Sequence, residues 1–422
     1  MTQIFELPAS YKKWTIGLLA VGLVALVYGV IVYQPWLHGH HGENIQSTRF
    51  WAVLLQNSVY WLLTVNAAMF FICVTTLAMG GWQVALKRVP EAISSVVPIL
   101  GIITFVILMA IVWGGRTDIY HWLDPEVYVK GSEQYDKILD GKAGFLNPTF
   151  YTIFSAITIL LWWLFGKKMR TLSLDSDKGG TMDYDTAKSF IKKNITGAAI
   201  FTVTFGLTVG STIPWLWLMS IDPHWYSTMY SWYTFASTFV SGLSLIAIYI
   251  IYLRRRGHLE YVTDEHLHDV GKFMFAFSIF WTYVWFSQYM LIWYSNQPEE
   301  TTYFIQRIGT ADQRGPYTGI FFLNLLLNFI APLLIFMTKA SKRNWNLVVS
   351  MSVIIIFGHW IDVFMMVMPG TLHEHAELLP FEFGIAALFI GIIVWGVGRY
   401  LAANPLTSKN HPFLKESMIH HT

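Results

Sequence analysis

Ten apolar blocks, most of them about twenty residues long and separated by short polar stretches, leave this chain few folds to choose from. A block of that length matches the ~30 Å hydrocarbon core of a bilayer at 1.5 Å rise per residue. The blocks predict spans near 12–33, 50–78, 91–113, 148–166, 190–218, 226–253, 268–294, 316–338, 344–367 and 381–402. The fold class is therefore an all-α polytopic membrane protein with about ten transmembrane helices. Charged residues make up 13% of the chain, where soluble proteins carry about 25%. Aromatic residues make up 17%, many at block ends, as in the belts at membrane–water interfaces. The net charge of +2 and the absence of a basic run give no sign of nucleic acid. The first block follows Lys12 and Lys13, has no small-x-small cleavage site after it, and reads as a retained helix.

Lysine and arginine set the orientation. With the N-terminus in the cytoplasm, the inside segments hold 21 of the 28 basic residues. Outside remain Arg49, Arg116, Lys130, Lys137, Lys142, Arg307 and Arg314. Ten spans then place both termini in the cytoplasm. Two outer loops resemble each other. Pro125-Glu126 and Pro298-Glu299 lie 173 residues apart, and the helix-opening Pro148 and Pro316 lie 168 apart. The offset predicts that spans two to five repeat as spans six to nine. Two four-helix bundles would be flanked by spans one and ten, dividing the chain at 1–49, 50–218, 219–367 and 368–422. Pro favours helix starts anyway, so chance resemblance remains an alternative.

Cys73 is the single cysteine, which excludes an internal disulfide, a Cys-x-x-Cys-His haem attachment and an iron–sulfur cluster. Of 14 histidines only His359 lies well inside a predicted span, so facing haem ligands are missing as well. The chain is expected to hold no metal or redox centre by its own residues. The loop His373-Glu374-His375 lacks zincin spacing, and His420 and His421 read as a solvated tail.

The polar residues inside or beside the spans are the candidates for chemistry. His359 and Asp362 are three apart and share a helix face in the outer third of the ninth span. They read either as a proton-relay or quinone-contact pair, or as an anchor of the helix end. Asp222 and His224 lie in the turn Asp222-Pro223-His224-Trp225, which reads as turn chemistry or as a proton exit. His268 and Asp269 open the seventh span behind Thr263, a plausible N-cap, and read as a helix start or as a proton-collecting mouth. Tyr283, Ser287 and Gln288 could continue such a path, and Asn324 and Asn328 sit four apart on the eighth span. All five also read as interhelical hydrogen-bonding glue.

Ile221-Asp222-Pro223-His224-Trp225-Tyr226-Ser227-Thr228-Met229-Tyr230 resembles the Pro-His-Trp-Phe/Tyr-Ser-Thr-Met signature of the large membrane subunits of bacterial alternative complex III. The run from His268 to Phe277, then Trp281-Thr282-Tyr283 and Phe286-Ser287-Gln288-Tyr289, resembles their second signature. The resemblance is specific over 221–301 and looser elsewhere. It implies a polysulfide-reductase-type membrane subunit built of paired four-helix bundles in the bacterial inner membrane. The chain looks more like the smaller F-type subunit than the C-type. That family implies quinol oxidation, menaquinone or another quinone, and partner subunits with iron–sulfur clusters and haem c. The partners would be the C-type subunit, the redox subunits and a terminal oxidase, with lipids around them. The rivals are an independent repeat-built secondary transporter and a structural membrane anchor. Transporters show broken helices near the midplane, whereas Gly and Pro here fall mostly at span ends, Gly101 and Pro332 excepted.

Overall fold

The computed structural model describes residues 5–37, 44–180, 182–310 and 312–421. Among them, ten helices are long and apolar enough to cross a membrane: Ala9–Tyr33, Ile45–Leu77, Arg88–Trp113, Pro148–Asp175, Tyr184–Ile221, Met229–Arg255, Asp264–Ser295, Thr318–Phe336, Trp345–Leu372 and Pro380–Ala403. No strand is present among the described residues. The chain is an all-α polytopic membrane protein.

Local chemistry sets the helix ends. The Asn147 side chain accepts from Phe150 N at 2.8 Å, with Pro148 at the first helical position of the fourth span. Thr263 caps the seventh span, where its own N–H reaches His266 Nδ1 at 3.2 Å. Asn344 caps the ninth by accepting from Asn346 N and Leu347 N at 3.0 and 3.2 Å.

Spans two to five pack in a ring, and so do spans six to nine. The seam between the rings is made by spans two, five, six and nine. Gly242 of the sixth span lies against Ala67 and Thr64 of the second, where any side chain would collide with backbone. Span one packs along span ten through Gly22, Gly29, Gly384 and Gly391, each placed where a Cβ would meet the other helix within 3.0 Å. Of the most apolar window of span one only 17% is buried, so most of it faces lipid.

The two similar outer loops fold differently. Pro125–Tyr128 is one short 3₁₀ turn, whereas Pro298–Ile308 is an eleven-residue helix with acids in its first turn and Arg307 in its last. Among the described residues three spans are not regular, and the third breaks at a turn between Arg88–Ser94 and Val97–Trp113. The fifth becomes a π-helix over Thr212–Leu218, and the eighth does so over Leu326–Ile330. The eighth-span interruption comes two residues before Pro332 and is a mid-helix break that Gly and Pro positions alone understate.

The first and last described segments pack on the face that carries the basic clusters. Phe5 lies edge-on to Tyr252 and His258. The C-terminal segment folds back so that Ser417 Oγ donates to Trp82 O at 2.5 Å and accepts from Ala85 N at 3.0 Å.

Candidate functional site

Asp362 is fully buried, and each of the other three helices of the second ring sends it a donor. Oδ1 accepts from the Tyr233 hydroxyl of the sixth span and from Asn324 Nδ2 of the eighth at 2.8 Å. Oδ2 accepts from Trp281 Nε1 of the seventh at 2.9 Å. Placing an ionisable group at such depth costs ~2.5–3.5 kcal/mol on insertion scales. A hydrogen bond to a charged group returns ~1.5–3 kcal/mol. Three converging donors offset that cost.

His359, one turn earlier and also fully buried, has Nδ1 3.6 Å from Asp362 Oδ2 and 3.1 Å from Ser237 Oγ. Its Nε2 has no protein partner, and its ring meets Trp281 edge-on at 5.4 Å. Asn328, in the π segment, donates to Asn324 Oδ1 at 2.5 Å and leaves its own Oδ1 unpartnered. A π turn shifts the side chains that follow it around the helix, and such bulges concentrate at functional sites. Two orphaned buried polar atoms beside one carboxylate are what a site for water or a mobile proton requires.

Gly358 makes this approach possible. A Cβ there would stand 2.2 Å from Asn328 Oδ1 and 2.9 Å from Leu327 Cβ. Gly358→Ala should therefore destabilise the second ring by ~1–3 kcal/mol through overpacking. Unfolding in mixed micelles measures this, and an unchanged midpoint would contradict the close approach.

A hydroxyl stripe leads from His359 toward the basic face. Ser237, Ser241 and Ser244 follow at helical spacing on the sixth span, all buried, and Ser244 Oγ has no partner. Tyr60 of the second span places its hydroxyl 3.1 Å from Ser241 Oγ and donates to Ile356 O at 2.7 Å. On the opposite side Tyr233, Tyr230, Trp225 and Tyr303 form a chain of ring contacts, tilted, edge-on and stacked in turn. Arg307 closes it, donating to Met365 O at 2.9 Å and to Tyr303 O at 2.6 Å with its guanidinium 3.3 Å from the Tyr303 ring centre. Beyond lies a polar cavity of about 280 Å³ lined by Asp118, Asp124, Asp222, His121, His224 and His373.

The structure corrects several expectations. Asp222 and His224 do line one cavity, but His224 pairs with Asp136 of another loop. Burial raises the Asp222 carboxyl above its ordinary value, with Arg307 acting against that. Tyr283 is 63% exposed and points away from the bundle, so it belongs to no internal path. Ser287 is half-buried one turn on from Tyr283, on the same side. Gln288 is buried with Oε1 unpartnered. Trp281, two residues before Tyr283, is the seventh-span residue that reaches the site. His268 and Asp269 are buried at the basic face, not open to it. Asp269 pairs with Lys272 Nζ at 2.5 Å and with His420 Nε2 at 2.6 Å. His420 therefore leaves the solvated tail expected for it and stacks on Trp82, while His421 is exposed. The residues missed by sequence reasoning are Tyr233, Ser237, Trp281, Tyr60 and Arg307. Hydroxyl and aromatic residues are common throughout this chain, so only packing distinguishes these.

A quinone head group needs free donors beside its carbonyls. The donors at Asp362 are all engaged. The apolar groove of about 430 Å³ between spans two, six, nine and ten is lined almost wholly by hydrocarbon and aromatic faces, among them Trp61, Phe357, Trp360 and Phe383. His359 Nε2 beside Asp362 and Trp61 Nε1 in the groove, however, have no protein partner. Among the described residues no group of three His, Cys, Asp or Glu side chains is placed to hold a metal ion. No protein-family model matches this chain, and no curated protein matches it.

Proposed function

We propose that this chain is the F-type membrane subunit of a bacterial alternative complex III, and that its second four-helix ring moves protons. Its place would be the inner membrane, with both termini and the basic face in the cytoplasm. Quinol oxidation, haem c and iron–sulfur chemistry then belong to partner subunits. The observation that carries the proton reading is the buried Asp362 beside His359, with polar groups continuing from the pair in both directions. His359 Nδ1 and Ser237 Oγ hold the pair toward the hydroxyl stripe, and on the outer side Arg307 is held by the Met365 and Tyr303 carbonyls next to Gln306, which lines the outer cavity. Asp269, under His420, guards the cytoplasmic end. Asp362→Asn, with proton release by the assembled complex in vesicles as the readout, tests the reading directly.

The broken eighth span favours a second reading, an ion-coupled secondary transporter, because such folds place interrupted helices at the substrate site. A cation site, however, needs oxygens turned toward the ion. Here three donors converge on Asp362, which favours proton handling over sodium binding.

Orientation has its own test. The loops at 176–183, 256–263 and 337–344 should be cytoplasmic, and those at 114–147 and 373–379 should face the periplasm. Single cysteines placed there in a Cys73→Ser background should react with an impermeant thiol reagent in intact spheroplasts only in the second group. Labelling of the first group instead reverses the topology.

A further inference from the structure

Spans five and six separate below their short outer link, and a groove of about 430 Å³ opens between them, lined by Phe70, Phe205, Val209, Trp215, Trp232 and Phe235. Its floor is Gly206 and Gly210, at each of which a Cβ would meet nothing within 4 Å. From Thr202 to Trp215 the groove follows ~20 Å of helix at 1.5 Å per residue. That length takes a hydrocarbon chain through one leaflet of a ~30 Å core. At its outer end it shares Trp215 and Thr228 with a second cavity of about 410 Å³, whose lining includes Lys142, Ser220, Tyr226 and Ser227. The combined space is apolar along the helices and polar with one cation at the mouth.

Lys142 Nζ donates to Pro223 O at 2.6 Å. An ammonium has three N–H groups, so two remain. Among the described residues Lys142 makes no ion pair; of the two carboxylates that act on it from nearby, Asp136 is engaged by His224, and Asp222 lies in the outer cavity. Burial pulls the Lys142 ammonium below its ordinary value, which an adjacent anion would reverse.

We propose that this groove is a phospholipid site, with an acyl chain lying over Gly206 and Gly210 and the phosphate against Lys142, Ser227 and Thr228. The length of the apolar part and the cation at its mouth select a phospholipid over a quinone, whose neutral carbonyls would not answer the charge. The occupant would fill the seam between the two rings, where side chains do not. This inference rests on the membrane fold alone and is independent of the proton reading.

The test is native mass spectrometry with lipid extraction on the chain purified in mild detergent. Wild type should retain about one phospholipid per chain. Gly206→Leu with Gly210→Leu fills open space and should lower occupancy at least about tenfold while the helical content is unchanged. Lys142→Gln should also lower occupancy, and Lys142→Arg should restore it. Wild-type occupancy in both the groove-filling variant and Lys142→Gln overturns the proposal. So does a stoichiometric quinone in place of phospholipid, or a wild-type chain that retains neither. If the double-glycine variant does not fold, the Lys142 pair still decides.

Discussion

Asp362→Asn should leave the chain folded in its membrane and abolish proton release. The carboxamide keeps the size of Asp362 and one acceptor oxygen, enough for the Tyr233 hydroxyl and Asn324 Nδ2 that share Oδ1. Its amino group then faces the indole N–H of Trp281, which donates to Oδ2 in the native site. Leaving that buried donor unmatched costs ~1–3 kcal/mol, a measurable loss that spares assembly. The titrating group is gone, however. Removing a positioned proton donor or acceptor costs roughly 10²–10⁴-fold in rate. Proton release by the assembled complex in vesicles, read with a trapped pH dye beside quinol turnover, should fall by that range. Tyr233→Phe removes a donor but keeps the carboxylate, and it should retain partial proton release. If Asp362→Asn assembles and both rates equal wild type, the pair only anchors the ninth span.

Arg49→Gln should cost ~3–5 kcal/mol, because it strands a buried carboxylate. Arg49 of the second span is 5% exposed and reaches the tenth span and the loop before it. Its Nη1 donates to Glu382 Oε1 at 2.9 Å and to Glu377 O at 2.8 Å, and its Nη2 to His375 O at 3.1 Å. Glu382 is fully buried, and its other oxygen accepts from Leu379 N at 2.9 Å, capping its own helix. Glutamine cannot neutralise that carboxylate. A further ion pair, from Arg49 Nη2 to the Glu377 carboxylate at 3.1 Å, matters less, since that side chain is 63% exposed and water screens it. Unfolding in mixed micelles should show the loss. Arg49→Met with Glu382→Met should recover much of it, since apolar packing can replace a buried pair. A single variant within ~1 kcal/mol of wild type would mean that Glu382 finds water instead.

Ten spans, their approximate ends and the all-α class follow from the sequence alone. Bilayer thickness fixes the length of an apolar helix, and no other structure satisfies the backbone of such a block in hydrocarbon. The i, i+3 spacing likewise put His359 and Asp362 on one face before any packing was known. Their partners were another matter. Tyr233, Trp281 and Asn324 come from three other helices, up to 129 residues away from Asp362 in the chain. Helix spacing shows which residues share a face, but not which way that face turns. Tyr283 illustrates the loss. It lies two residues from Trp281, about 200° around the helix at 3.6 residues per turn, and so faces outward while Trp281 faces the carboxylate. The π segment at Leu326–Ile330 re-aims Asn328 in a way no propensity records. Tails are usually solvated, but His420 makes a 2.6 Å contact with Asp269 that no sequence pattern records. The apolar pattern determined that this chain crosses the membrane and where. Tertiary structure alone decided which polar side chains meet inside it, because their rotation about each helix axis is set by the neighbouring helices.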